Sequence, residues 1–371
     1  MKILYFAPER NRIMDKWQHI HFIDELSRHG IQIDLFNPLY CESWEEANEI
    51  AIKKIREGNY DLFFTGVCRK EILFIESLLE IKKIGVPTLC LRYDNLLIPY
   101  NDKELAPYFD LLWLTATETK HLYDKWGVKT CFAPYAANPF TFKYTELPLK
   151  YRVCFIGTPY GSRSRMINKL SQGGVDTTVF YGGKVKQIDD CVLQRTNMNV
   201  PSDSFLVSVL NRLKFSEGRV LLKGSLKNKI IGKSYVDKNP YLEMKDAVSW
   251  EELSSTYSEY SLSLASTSAH HTDVLKDPVK VINLRNFEIP MSGGVEICRY
   301  NYELSEYFED GKEILFYESN DELVEKAIYY TRNATDKEII KIKQAARKRS
   351  ENEHTWYHRF NKVLNELNLK I

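Results

Sequence analysis

Residues 151–183 read YRVCFIGTPYGSRSRMINKLSQGGVDTTVFYGG. An apolar run, YRVCFIG, meets a short loop; an amphipathic stretch, GSRSRMINKLSQGG, follows, and then a second apolar run, VDTTVFYGG. Near-continuous apolar strands separated by a helical period belong to a parallel sheet covered on both faces. Working outward, the same alternation fills the N-terminal half. KILYFA leads into the helical stretch WQHIHFIDELSRHG, whose Gly30 suits a helix C-cap. IQIDLFN precedes SWEEANEIAIKKIREGN, with Ser43 as N-cap and Glu46 three residues on. YDLFFTG, PTLCLRY, DLLWLTA and TCFAPY are further strands.

Prolines and polar residues interrupt the pattern in PFTFKYTELPLK (139–150), which predicts a linker. We expect residues 1–145 to form an acceptor-side Rossmann-like domain and 146–350 a donor-side one. A closing helix over 351–371 is left free to cross back to the first domain. After a less regular stretch (184–217), RVLLKG reads as a strand that places Lys223 at its end. The helix WEELSSTYSEY, the strand SLSLAST, a helix stopped by Pro290, the strand GVEIC and EILFYE follow. The predicted class is α/β, with two Rossmann-like domains whose parallel sheets face a central cleft.

The chain has 371 residues, 44% hydrophobic and 27% charged, with a net charge of +1. That composition is globular, and the charge gives no global attraction to nucleic acid. No apolar run approaches the ~20 residues that span a bilayer. Seven scattered cysteines without a Cys-x-x-Cys pair fit reduced thiols in a cytoplasmic chain. The basic stretch KEIIKIKQAARKRS (337–350) is a solvated face, or a peripheral contact with the inner side of a membrane.

Candidate chemistry lies mainly in the second half. Gly157 and Thr158 end a strand before a helix, where backbone N–H groups can meet an anion, and Arg163 adds a cation in the first turn. A plain βα loop with a solvated arginine has the same spelling, and no Gly-x-Gly-x-x-Gly is present. Lys223 can meet a phosphate or lie in solvent; Tyr257 can line a pocket or pack in the core. In RNFEIPMSGGVE (285–296), Arg285 and Glu288 share a helix face. Ser292, Gly293 and Gly294 allow close approach of a ligand to the backbone, and Glu296 follows Glu288 with seven residues between them. Asp94, at the end of LRYDN, is a general base, an acceptor ligand or a helix cap. The pair His270–His271 has no third ligand at a metal spacing and reads as a polar loop.

These pieces resemble the CgeB-like (spore-maturation) glycosyltransferases, related to the retaining enzymes with a Glu-x7-Glu motif. VCFIGTPYGSR, LRNFEIPMSGGVE, ELSEYFEDGKEILFYESNDELVEK and EHTWYHRF carry the resemblance, in order, from about residue 151 to the end. The first half carries less of it, in GVPTLCLRYDN, FDLLWLTA and FAPYAANPFTF. The resemblance implies a GT-B enzyme moving a sugar from a nucleoside diphosphate to a hydroxyl of a glycan, lipid-linked or protein glycoconjugate. It implies no metal or other cofactor and no nucleic-acid partner. Glu288 would contact the donor sugar, Glu296 the ribose, and Arg285, Lys223 and the Gly293–Gly294 turn the diphosphate. Second-Glu residues are missing from many CgeB-like members; its presence here favours retention. APERNR stands where the wider family has a glycine-rich loop, leaving Arg10 or Arg12 as the alternative phosphate contact. An epimerase or hydrolase of this fold and a non-catalytic binding protein are the rival readings.

Overall fold

The computed structural model describes residues 1–10, 13–182, 196–232 and 235–370. They fall into two compact units, one of Met1–Pro134, Asp189–Arg219 and Trp356–Ile371, the other of Tyr135–Ile188 and Val220–Thr355. The fold is α/β, with one six-stranded parallel sheet in each unit.

In the first unit the strands are β1 (Lys2–Phe6), β2 (Gln32–Phe36), β3 (Leu62–Thr65), β4 (Thr88–Arg92), β5 (Leu111–Leu114) and β6 (Thr130–Phe132). Their order is β2-β1-β3-β4-β5-β6. Helices α1 (Ile13–Gln18), α2 (Asp24–Arg28), α3 (Trp44–Gly58), α4 (Ile75–Ile84) and α5 (Lys120–Lys125) connect them. The expected cap of α3 is present, Ser43 Oγ accepting from Glu46 N at 3.2 Å. Strands β3, β4 and β5 are buried at every residue, as a sheet covered on both faces requires.

In the second unit the strands are β7 (Lys150–Ile156), β8 (Thr177–Phe180), β9 (Leu242–Lys245), β10 (Tyr260–Leu264), β11 (Glu296–Arg299) and β12 (Leu315–Tyr317). Helices α6 (Ser162–Gln172), α7 (Phe205–Leu213), α8 (Ser216–Ile231), α9 (Trp250–Glu259), α10 (Arg285–Met291), α11 (Tyr302–Ser305), α12 (Asn320–Ile328), α13 (Asp336–Glu353) and α14 (Trp356–Asn365) complete the chain. Of these, α7 and α14 belong to the first unit, and α8 runs across the division. The strand order is β12-β11-β10-β7-β8-β9. Chain neighbours β7 and β8 pair on one side of β7, while β10, reached much later, pairs on the other.

The division at Pro134 falls ahead of the expected linker because residues 135–142 are tied into the second unit. Ala137 N donates to His354 O at 3.2 Å, and Arg347 donates to the carbonyls of Phe142 and Pro139. At the other end, α14 packs in the first unit. Trp356 lies 5.6 Å from Trp17, 6.1 Å from Phe22 and 6.0 Å from Trp113, ring centre to ring centre. The buried Glu25 carboxylate accepts from Trp356 N and Tyr357 N at 3.1 and 2.8 Å, so a side chain on α2 caps α14.

Residues 219–224 do not form the expected strand. They lie inside α8, and the apolar triplet Val220–Leu222 had mimicked a strand only over its own length. Gly224 lets this helix pass close to the next loop: a Cβ there would stand 3.0 Å from His271 O.

Candidate functional site

Between β7 and β10 the strand order reverses, and in open parallel sheets ligands bind beyond the carboxyl ends of such a strand pair. Two loops meet there. After β7 the chain runs from Gly157 (φ 142°) to Gly161 (φ 57°) and enters α6. A Cβ on Gly161 would stand 2.8 Å from His271 Nδ1, so this turn admits no larger residue without a shift. After β10 come Ser266, Thr267 and Ser268; Ser162 Oγ lies 3.4 Å from Ser266 Oγ, joining the two loops. A pocket of about 240 Å³ opens at this edge, lined by Ser162, Arg165, Ser266, Thr267, Arg299 and Tyr317, among others. Arg165 is held across it by Asp273, Nε to Oδ2 at 2.8 Å.

Beside this edge the fold collects two arginines. Arg163, in the first turn of α6, donates to Thr158 O at 3.3 Å and stacks 4.8 Å from the Tyr160 ring centre. It forms no ion pair among the described residues. Burial pushes the Arg163 pKa down; Tyr160 works against this, and the nearby positive charge of Arg285 adds to it. Two guanidiniums close enough to repel, with one carboxylate between them and neutrality, leave an excess of positive charge suited to an anion.

Arg285 opens α10. Its backbone N donates to Asn283 Oδ1 at 3.1 Å, and Asn283 Nδ2 donates to Ser266 O, which fastens the first turn of α10 to the end of β10. The guanidinium pairs with Glu288 one turn on, and the Tyr257 hydroxyl lies beside it. Arg285 is 34% exposed, whereas the Glu288 carboxylate behind it has no exposed surface. The cation therefore faces outward, and the carboxylate holds it from below.

The second half of the motif has another job. The helix does not stop before Pro290; it runs through it to Met291. Gly293 N then donates to Pro290 O at 2.9 Å and Gly294 N to Ile289 O at 2.8 Å, with Gly293 at φ 68°. This is a Schellman cap. The N–H groups expected to be open to a ligand are satisfied by the helix itself, and so is that of Ser292, which donates to Glu288 O at 3.0 Å. The glycines are needed for packing. A Cβ on Gly293 would fall 2.3 Å from the Tyr144 ring, and one on Gly294 2.8 Å from Ile289 Cγ2.

Glu296 is the first residue of β11, at the end of the strand opposite Arg299 and the pocket. Its carboxylate is fully buried; Oε1 accepts from Asn286 Nδ2, and Oε2 has no hydrogen-bond partner. Burial pushes its pKa up to about 8, while the Asn286 amide and the nearby Cys298 thiol work against this.

Thus Gly157, Thr158, Arg163, Tyr257, Arg285 and Glu288 converge, while Ser292, Gly293, Gly294 and Glu296 lie behind them. Lys223 is an exposed residue of α8, with its chain direction set by a helix and not by a strand edge. Asp94 belongs to the first unit, where it is exposed in a left-handed turn (φ 50°) just after β4. Arg10 donates to Met198 O at 2.8 Å and to Asn199 Oδ1, a tie within the first unit. Arg12 lies outside the described residues. The basic stretch 337–350 is solvated on one face, where Lys337, Lys341 and Lys348 are exposed, and packed on the other. Ile339, Ile342, Lys343 and Ala346 of α13 are buried, and Lys343 donates to Ser258 O and Tyr260 O at 2.9 and 2.8 Å.

The sequence reading had passed over Ser266–Ser268, Asn283, Arg165 with Asp273, and Arg299. The available signal was the hydroxyl run closing SLSLAST at a strand's carboxyl end.

Three comparisons bear on this geometry. Residues 204–365, less than half of the chain, match a family model described as glycosyl transferase-like. No curated protein matches the sequence. Among solved structures, Anabaena Alr3699/HepE in complex with UDP and glucose superposes with a TM-score of 0.56 at 11% identity, covering 100% of both chains. This chain has the GT-B fold. A sucrose-phosphate synthase from Thermosynechococcus elongatus shares it with a TM-score of 0.54 at 11% identity over 99% of both chains. So does an alpha-glucosyltransferase in complex with UDP and a DNA containing an HMU base, with a TM-score of 0.58 at 12% identity over 100% of both. In GT-B terms, the unit built on β7–β12 is the one with the converging arginines.

Proposed function

We propose that the chain is a glycosyltransferase that moves a sugar from a nucleoside diphosphate to a hydroxyl of a glycan, lipid-linked or protein glycoconjugate, with retention of configuration. The observation that carries this is the meeting of Arg163 and Arg285 at the carboxyl ends of β7 and β10. The glycosyl transferase-like match over 204–365 supports it, and so do structural neighbours whose complexes contain UDP.

When the bond from the anomeric carbon to the diphosphate breaks, negative charge grows on the leaving oxygens. Arginines held in place beforehand stabilise that charge without reorganising at the moment of reaction. Their planar donors fit phosphate oxygens in pairs. In this reading the two arginines do what a divalent cation does in other transferases, so the reaction needs no metal. Glu288, without exposed surface, acts through Arg285 by fixing its direction, so the donor-sugar contact that the resemblance gave to Glu288 passes to the arginine in front of it. The small pocket beyond Ser266–Ser268 takes the nucleoside, with hydroxyls and Arg299 as polar contacts. Asp94 is the acid–base or hydroxyl-binding group on the acceptor side. Glu296, at the other end of β11 and fully buried, takes no part in ribose binding in this reading.

The test is a panel of uridine, guanosine and thymidine diphosphate sugars with the intact chain and with Arg163→Ala. A bound nucleotide at 100 times its Kd should add about 2.7 kcal/mol of stability. Arg163→Ala should keep its melting temperature without ligand and lose about ten- to a hundredfold in affinity for the diphosphate, as expected for a hydrogen bond to a charged group. Unchanged affinity in this variant, or no response to any nucleotide, would overturn the assignment. NMR of the product reports the stereochemistry.

A further inference from the structure

Helix α7 has no buried residue, although its sequence, FLVSVLNRL, is mostly apolar. Phe205 is 79% exposed, Leu206 71%, Leu210 59% and Leu213 49%. Leu206, Val209, Leu210 and Leu213 repeat at helical spacing and make one apolar stripe, with Ser208, Asn211 and Arg212 off it. A globular protein gives such a stripe a partner or leaves it for one.

The helix is held at both ends. Before it, Asp203 accepts from Arg69 Nη2 at 2.9 Å and from Asn101 Nδ2 at 2.6 Å. After it, Phe215 is buried against Tyr100, 5.9 Å between ring centres, and Lys214 Nζ lies 5.1 Å above the same tyrosine. Ser204 Oγ caps the first turn, accepting from Val207 N at 3.3 Å. The stripe is thus presented on a fixed helix.

Charge selects the partner. From residue 204 to 219, within the first unit, the sequence has Arg212, Lys214 and Arg219 against the single acid Glu217, in a chain whose net charge is only +1. A second copy docking here by a two-fold contact would bring a second set of the same cations into one interface, with only Glu217 of each copy to offset them, a like-charge arrangement that costs stability. An anionic lipid surface meets both needs: its acyl boundary takes the leucines and Phe205, and its headgroups take the cations. Nine residues rise only ~13 Å along a helix, too short to cross a bilayer, so α7 would lie in the plane of the interface.

We infer that α7 docks the protein on an anionic membrane surface, by its Leu206–Leu210–Leu213 stripe and the cations that follow it. The inference is independent of the sugar chemistry proposed above. It uses a different segment from α13, the basic stretch that the sequence read as a solvated face or a peripheral membrane contact.

The test is flotation of the full chain with vesicles of phosphatidylcholine alone and with added phosphatidylglycerol. The native protein should bind the anionic vesicles, and raising the salt to ~1 M, where the Debye length falls to ~3 Å, should weaken that binding. Leu206→Glu with Leu210→Glu changes exposed positions only and should keep the melting temperature while the partition coefficient falls at least about a hundredfold. Lys214→Gln with Arg219→Gln should lower it by about tenfold or more and flatten the salt dependence. Failure of the native chain to bind anionic vesicles would overturn the inference, as would unchanged binding by the double-glutamate variant. A native dimer made monomeric by those glutamates, without vesicle binding, would assign the stripe to a second copy instead.

Discussion

Glu288 and Glu296 are the same residue type, both without exposed surface, on consecutive elements of one unit, yet they live in different electrostatic worlds. Glu288, in the first turn of α10, faces a guanidinium that is a third exposed. Glu296, at the start of β11, faces a neutral amide and leaves one oxygen without a partner. Glu288 has a cation beside it, whereas burial pushes Glu296, beside a neutral amide, toward its neutral form. The difference teaches that spacing along the chain does not give two glutamates a common task. The helix direction does: α10 begins near the carboxyl edge of the sheet and delivers the chain to the opposite edge, so Glu288 stands by the ligand edge and Glu296 away from it.

The largest test of this contrast is Arg285→Ala. It removes the cation that faces the buried Glu288 carboxylate, and chemical denaturation should show a loss of about 3–5 kcal/mol. A loss below ~1 kcal/mol would mean that the pair is open to water and the contrast is false. Glu296→Gln comes next. The folded-state pKa of Glu296 is raised to about 8, so the folded chain holds a proton that the unfolded chain releases. Native stability should therefore fall as pH rises from the ordinary carboxylate range toward 8, and the amide should remove that slope, a gain on the order of 3 kcal/mol near pH 8. If both proteins have the same pH profile, Glu296 ionises freely in the native state. The smallest effect belongs to the turn between them. Gly293→Ala puts a Cβ at φ 68° against Tyr144 and should lower stability by about 1–2 kcal/mol. An alanine without cost would show that the cap can open, and that its N–H groups are available after all.

Two helices give the same lesson at a larger scale. The stretch 337–350 and the segment 204–231 are both basic in sequence, but α13 buries its Lys343 under the carbonyls of Ser258 and Tyr260, while α7 keeps its leucines in solvent. Counting charges finds both; packing separates them.

Much of the fold was legible. Hydrophobic period and turn residues are local, and they gave β1–β8, β10–β12 and several of the helices between them, down to the Ser43 cap, but neither α7 nor α8. The failures came where a local pattern had two solutions. Val220–Leu222 is as apolar as a short strand, and only its place in α8 decides against one. Ser292–Gly293–Gly294 is spelled alike whether it opens to a phosphate or closes a helix, and only the hydrogen bonds to Ile289 and Pro290 distinguish these. Arg163 and Arg285 are more than a hundred residues apart, and no spacing rule joins them; the pairing of β7 with β10 does. The sequence by itself determined an α/β chain of the GT-B kind and the residue types able to bind a diphosphate. Tertiary structure decided which of those residues share a site, because contact and burial are set by strand order and helix direction, neither of which is written in any short stretch of the chain.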